Sequence, residues 1–121
     1  MKERPHQRLE VWRDAMSLVE AAYRFSQDFP DTERFGLTLQ IRRAAVSVSS
    51  NIAEGAARRS TLDYLRFLSI ARGSLSELDT QLQISTRLGF AEMSPELNEL
   101  VDCVFSKLNA LIRSLSKPRT P

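Results

Sequence analysis

Apolar residues at the start of the chain fall at Leu9, Trp12, Met16, Val19 and Tyr23, spacings of three and four that place them on one face of a helix. Pro30 ends that segment. The linker FPDTERFG supplies Asp31 and Thr32 as capping residues for a second helix, whose core stripe is Leu37, Ile41, Ala45, Val48 and Ile52. Within it Val46-Ser47-Val48-Ser49 alternates like a strand, but the 3-4 spacing holds from 37 to 52, too long for an ordinary strand. STLD at 60–63 has the capping-box form and opens a third helix with the stripe Tyr64, Leu68, Ala71, Leu75, Leu78 and Leu82. Gly89 is its predicted C′ residue, and Gly73, in mid-helix, is predicted to admit a close neighbour. Ser94-Pro95-Glu96 opens a fourth helix with the stripe Leu97, Val101, Val104, Leu108, Leu111 and Leu115. Short links between four amphipathic helices predict an all-α, antiparallel up-down four-helix bundle over 9–116, with tails at 1–8 and 117–121.

The fourth helix has one apolar arc and a polar back of Glu99, Asp102, Ser106, Asn109 and Arg113, as an outer helix should. The second does not. At 100° per residue, Leu39, Val46, Ser50, Ala53 and Ala57 form a second stripe nearly opposite its core stripe. Val11, Leu18 and Phe25 repeat the pattern more weakly on the first helix, and Ile70, Ile84 and Leu88 lie off the main stripe of the third. A single bundle buries only one face of each helix, so Leu39, Val46, Ser50, Ala53 and Ala57 are expected to form a homo-oligomer interface.

Composition removes most catalytic chemistry. The 121 residues fit one domain, and with Cys103 the only cysteine and His6 the only histidine there are too few soft ligands for zinc or a di-iron site. Cys103 lies in a helical apolar pattern with no activating base, and the one polar pair in the stretch 44–60, Asn51 and Glu54, reads as hydrogen-bonding across helices or capping a helix end. The expectation is a non-enzyme without cofactor or metal. No apolar run approaches the ~20 residues that span a bilayer and no apolar stretch follows the start methionine, so a cytoplasmic protein is expected.

Charge adds a positive candidate. The chain holds 14 arginines against 3 lysines, a bias suited to phosphate recognition. Six of the arginines fall in residues 42–72 against two acids, whereas 92–102 carries Glu92, Glu96, Glu99 and Asp102 with no base. Arg42, Arg43, Arg58, Arg59 and Arg66 are the candidate nucleic-acid contacts. Arg42 and Arg58 stand about 24 Å apart along a helix, which makes two patches, and Tyr64 and Phe67 are the aromatics interleaved with them.

The segments LEVWRDAMSLV, FPDTERFGLTLQIRRAAVSVSSNIAEG and FLSIARGSLSELDTQL, in that order, resemble the four-helix-bundle proteins encoded in intervening sequences of bacterial 23S ribosomal RNA genes. The most specific pieces are Gln40-Ile41-Arg42-Arg43-Ala44, Asn51-Ile52-Ala53-Glu54-Gly55 and Gly73-Ser74-Leu75 with Glu77 and Leu78. Many such proteins carry proline where this chain has Ser49. The resemblance implies an up-down bundle assembled into a ring of five, and a protein of the same fold is an accessory to a reverse transcriptase. It implies no active site. The expected function is therefore a non-enzymatic oligomeric protein that binds RNA or a nucleic-acid enzyme complex through arginine patches, with a structural assembly module for a protein partner as the alternative.

Overall fold

The computed structural model of the chain describes residues 2–118. Four helices, α1 (Glu10–Ser26), α2 (Leu37–Ala56), α3 (Thr61–Arg87) and α4 (Pro95–Ser116), are joined by short links, and the described residues include no strand. Helices consecutive in the chain pack together and α1 closes on α4, while the pairs α1/α3 and α2/α4 stand apart. Such a cyclic order turns one stripe of each helix toward a shared interior.

The stripes of α2, α3 and α4 are buried largely as the spacing predicts. Ile41, Ala45, Val48 and Ile52 meet Leu68, Ala71, Leu75, Leu78 and Leu82 from α3 and Leu97, Val101, Val104 and Leu108 from α4. Leu37, Tyr64, Leu111 and Leu115 flank this core half-buried. Helix α1 is turned round from its predicted orientation. Its buried face is Val11, Ala15, Leu18 and Ala22, continued by Ser26, while Met16 and Tyr23 are 41% and 43% exposed. Periodicity alone favours the large side chains. The 4-3-4-4 spacing of the alanine-bearing face is equally regular, however, and its small residues let α1 approach its neighbours closely.

The helix ends show which capping signals were used. Asp31 and Thr32 do not cap α2; they sit in a 3-10 turn (Asp31–Glu33), and the Leu37 N–H donates instead to Glu33 Oε1 at 3.2 Å. Ser60 fulfils half of its capping box, accepting from the Asp63 N–H at 3.0 Å, while the Asp63 carboxylate faces Arg66 at 3.7 Å. Helix α3 ends in a Schellman motif: Gly89 has φ +78°, its N–H donates to Thr86 O, and the Phe90 N–H donates to Ser85 O. Ser94 caps α4, accepting from the Leu97 N–H at 3.1 Å with Pro95 in the first turn.

Gly73 is not a point of close approach, because a Cβ there would meet nothing within 4 Å. Gly55 fills that role. A Cβ on it would lie 3.0 Å from both Phe67 Cβ and Tyr64 Cδ1 and 3.2 Å from the Tyr64 carbonyl oxygen, so glycine is what lets the end of α2 lie against the start of α3. Part of the expected N-terminal tail is also structured. Pro5–Arg8 forms a 3-10 turn whose His6 ring meets Trp12 edge-on at 4.8 Å. Of the expected C-terminal tail, Lys117 and Pro118 follow α4 without helix, and 119–121 lie outside the described residues.

Candidate nucleic-acid and assembly surfaces

Two surfaces gather the residues singled out by the sequence. The first is a groove of about 480 Å³ between α1 and α2, lined by Tyr23, Leu39, Arg42, Arg43, Val46 and Ser47. Tyr23 stands on the outer face of α1, and Leu39 and Val46 on the α2 face that the core does not use, Val46 being 41% exposed. Ser50 and Ala57 continue that face in the open and Ala53 lies half-buried on it. Ser47, beside it, exchanges a hydroxyl contact of 2.8 Å with Ser74 of α3 and accepts from Asn51 Nδ2 at 3.0 Å. Asn51 also donates to the Ser47 carbonyl at 2.8 Å, so its amide is spent on its own helix rather than across helices.

Arg42 is absorbed by the fold. Its Nε donates to Ser26 Oγ at 3.0 Å, a terminal nitrogen reaches the Tyr23 carbonyl at 3.5 Å, and the guanidinium lies 4.5 Å above the Tyr23 ring. The Ser26 hydroxyl itself donates to the Ala22 carbonyl at 2.9 Å, which satisfies a polar group buried at the end of α1. Arg43 points outward and has no ion pair or hydrogen bond within the described residues. Of the two neighbours, only Arg43 is free to meet an external anion.

The second surface is the corner where α2 passes into α3. Here Arg58 and Arg66 both lie over the Phe67 ring, at 4.6 and 4.9 Å from its centroid. Arg58 pairs with Glu54 at 2.9 Å and Arg66 with Asp63 at 3.7 Å. Both pairs are largely exposed, where such pairs contribute at most about 1 kcal/mol. Glu54 is therefore a partner of Arg58 and is not assembled with Asn51 into a reactive pair. Arg59, next to Arg58 in the chain, is exposed and has no partner among the described residues. The structure thus brings Arg58 and Arg66 together over Phe67, with Arg59 beside Arg58 in the chain, and leaves Arg42 and Arg43 as a separate patch along α2.

Sequence reasoning missed a third constellation, between α1 and α4. Lys107 Nζ donates to Asp14 Oδ2 at 2.6 Å and lies 3.2 Å from Glu10, while the Cys103 thiol donates to the same Asp14 oxygen at 3.4 Å. The hydrogen bonds to Asp14 and Glu10 hold Lys107 firmly in its charged form, well above the usual lysine range. Burial, followed by the hydrogen bond to Asp14, pushes the Cys103 thiol up. A thiol held protonated is a poor nucleophile, so the cluster is an interhelical clamp. The i, i+4 spacings of Glu10/Asp14 and Cys103/Lys107 were visible, but nothing in them tells which helices meet. Among the described residues no three His, Cys, Asp or Glu side chains stand together as a metal-holding group, and no helix is long and apolar enough to cross a membrane.

An all-α chain of four packed helices, with arginine patches on α2 and at its turn and an apolar face left outside the core, defines the class. The chain matches the 23S rRNA-intervening sequence proteins over residues 7–111 and belongs to that family. Its fold is similar to the crystal structure of a protein of unknown function from the S23 ribosomal protein family of Bacteroides thetaiotaomicron. The two are 22% identical with a TM-score of 0.67, over 89% of this chain and 99% of that one. No curated protein matches the chain.

Proposed function

We propose that the chain is a non-enzymatic protein of the cytoplasm that associates with copies of itself and holds RNA by its repeated arginine corners. The observation that carries the RNA reading is the convergence of Arg58 and Arg66 on Phe67, which fixes two guanidinium groups in place, with the exposed Arg59 next to Arg58 in the chain. Ring contact orients a guanidinium and leaves its N–H edge for phosphate oxygens, so less order is lost on binding. Self-association is supported by the groove at Tyr23, Leu39 and Val46 and by the open face at Ser50, Ala53 and Ala57. The homopentamer implied by the family resemblance is the assembly we propose.

An antiparallel order of helices is supported by the pairs that meet. Asp14, early in α1, touches Lys107, late in α4, while Ala21 and Phe25 share a hollow with Leu97 and Leu100. Gly55 lies against Tyr64 and Phe67, while Ser47 reaches Ser74.

The test is the double variant Arg58→Glu/Arg59→Glu. It should flatten the dependence of log affinity on log salt by about 0.7–0.9 for each phosphate that the variant no longer neutralises, with particle mass unchanged. Equal slopes for variant and parent would exclude the corner and leave Arg43. The second reading, an assembly module whose partner is a protein, is favoured by Glu54 and Asp63, which neutralise two of the three corner arginines. Absence of RNA retention at low salt would select it.

A further inference from the structure

We infer that the arginine corner takes the sugar-phosphate backbone of double-helical RNA and offers no platform for unpaired bases; this rests on the RNA reading above and names the ligand class of the same site. Proteins that hold single strands combine a basic track with aromatic rings on which successive bases stack. Such rings must have a free face. At the corner they do not. Phe67 is half-buried and carries both the Arg58 and the Arg66 guanidinium over its ring, each of them also engaged by a carboxylate. Its Cβ lies against α2 at Gly55, which sets the root of the side chain in the contact between α2 and α3. Tyr64, the other aromatic of the corner, packs against the core, and burial raises the pKa of its phenol.

The same arrangement recurs elsewhere on the surface. Tyr23 lies under the Arg42 guanidinium at 4.5 Å, and Phe35 under Arg34 at 4.9 Å. Phe35 is 77% exposed and is the one ring with enough free surface to rival this assignment. It lies before the start of α2, however, a helix of 20 residues and hence about 30 Å from the corner. A base stacked there would not share a nucleotide with Arg58 or Arg59. What remains for the corner to recognise is phosphate. A duplex presents phosphates in a fixed array that needs no unstacking, and RNA duplexes are recognised through backbone and shape.

The intact protein would be titrated into a labelled 20-base-pair RNA duplex, a second duplex of scrambled sequence, and a 20-nucleotide oligouridylate, across a salt series. The expected result is tighter binding of either duplex than of the single strand by about tenfold or more, with the two duplexes equal within about twofold. Phe67→Leu should weaken binding of duplex and single strand by the same factor within about twofold, because the ring orients Arg58 and Arg66 for phosphate and stacks no base. Phe67→Met, run beside it, guards against a loss of packing, and helix content by circular dichroism identifies a misfolded variant. Tighter binding of oligouridylate, weakened by Phe67→Leu and Phe67→Met or by Phe35→Leu about fivefold or more beyond any loss of duplex binding, would overturn the inference while leaving RNA binding intact. No binding of any of the three at low salt would overturn the RNA reading itself, and the inference with it.

Discussion

Gly55 and Gly73 are both helical glycines, and their surroundings dictate opposite responses to the same substitution. An added methyl at residue 73 meets nothing within 4 Å, so Gly73→Ala changes only the backbone entropy of an exposed helix position. It should stabilise the protein by about 0.5–1 kcal/mol. At residue 55 the methyl would lie 3.0 Å from Phe67 Cβ and 3.2 Å from the Tyr64 carbonyl oxygen. Neither atom can escape by a side-chain rotation, because one is fixed by the α3 backbone and the other belongs to it. Overpacking of this kind costs about 1–3 kcal/mol. The gain in helix propensity is smaller than at residue 73, since α2 ends at Ala56. The net expectation for Gly55→Ala is a loss of about 1–2 kcal/mol, which separates the two variants by roughly 2 kcal/mol. For a chain of this size that corresponds to roughly 6–12 °C in Tm. Thermal unfolding followed by circular dichroism at one fixed protein concentration would measure it. A Gly55→Ala variant as stable as Gly73→Ala would mean that α2 and α3 are not held closely together at this point.

Two further outcomes follow from the surfaces. Val46→Glu should reduce particle mass in light scattering after size exclusion with helix content unchanged, because Val46 lies outside the core; an unaltered mass would refute the assembly face. Cys103 should react with iodoacetamide more slowly than glutathione at pH 8, and Asp14→Asn should accelerate the reaction by removing the carboxylate that holds the thiol protonated. The folded-state pKa values of Cys103 and Lys107 are both raised, so the stability they contribute is complete below the unfolded thiol value near 9.0 and is lost as pH rises above it. Alkaline unfolding curves that are flat between about pH 8 and 11 would contradict this.

The fold was legible because three of the four helices carry core stripes of large residues. Ile41, Val48, Ile52, Leu68, Leu75 and Leu82 could not be read otherwise. Helix α1 was misread because its inward face is half alanine, and periodicity gives Met16 and Tyr23 more weight than Ala15 and Ala22. Gly73 stands out as a candidate close contact because it lies in mid-helix, where glycine is costly, and nothing in the sequence marks Gly55; which glycine faces a neighbour depends on helix rotation, and the four-residue turn after α2 brings Phe67 over Gly55. The arginines were legible as a composition but not as partners. No sequence spacing says that Arg42 will reach Ser26, sixteen residues earlier, or that Arg72 will donate to Asn109 at 3.0 Å across two helices.

That consumption of arginines bears on how the proposed function could operate. Of the six in 42–72, Arg42, Arg58, Arg66 and Arg72 have partners within the chain, and Arg43 and Arg59 have none among the described residues. One subunit thus offers few uncommitted charges to a phosphate backbone, and its own affinity for RNA would be weak at physiological salt. Repetition alters this. Each corner added to an assembly within reach of the same duplex binds at the effective concentration set by the first, which multiplies affinity without any new contact. The apolar face of α2 and the arginine corner lie on one helix and its following turn, so a contact at Leu39 and Val46 would fix the spacing at which Arg58 and Arg59 recur. On this view the second stripe of α2 is the means by which a weak basic patch becomes a usable one. Interface and binding site are then two ends of one element rather than rival readings of it.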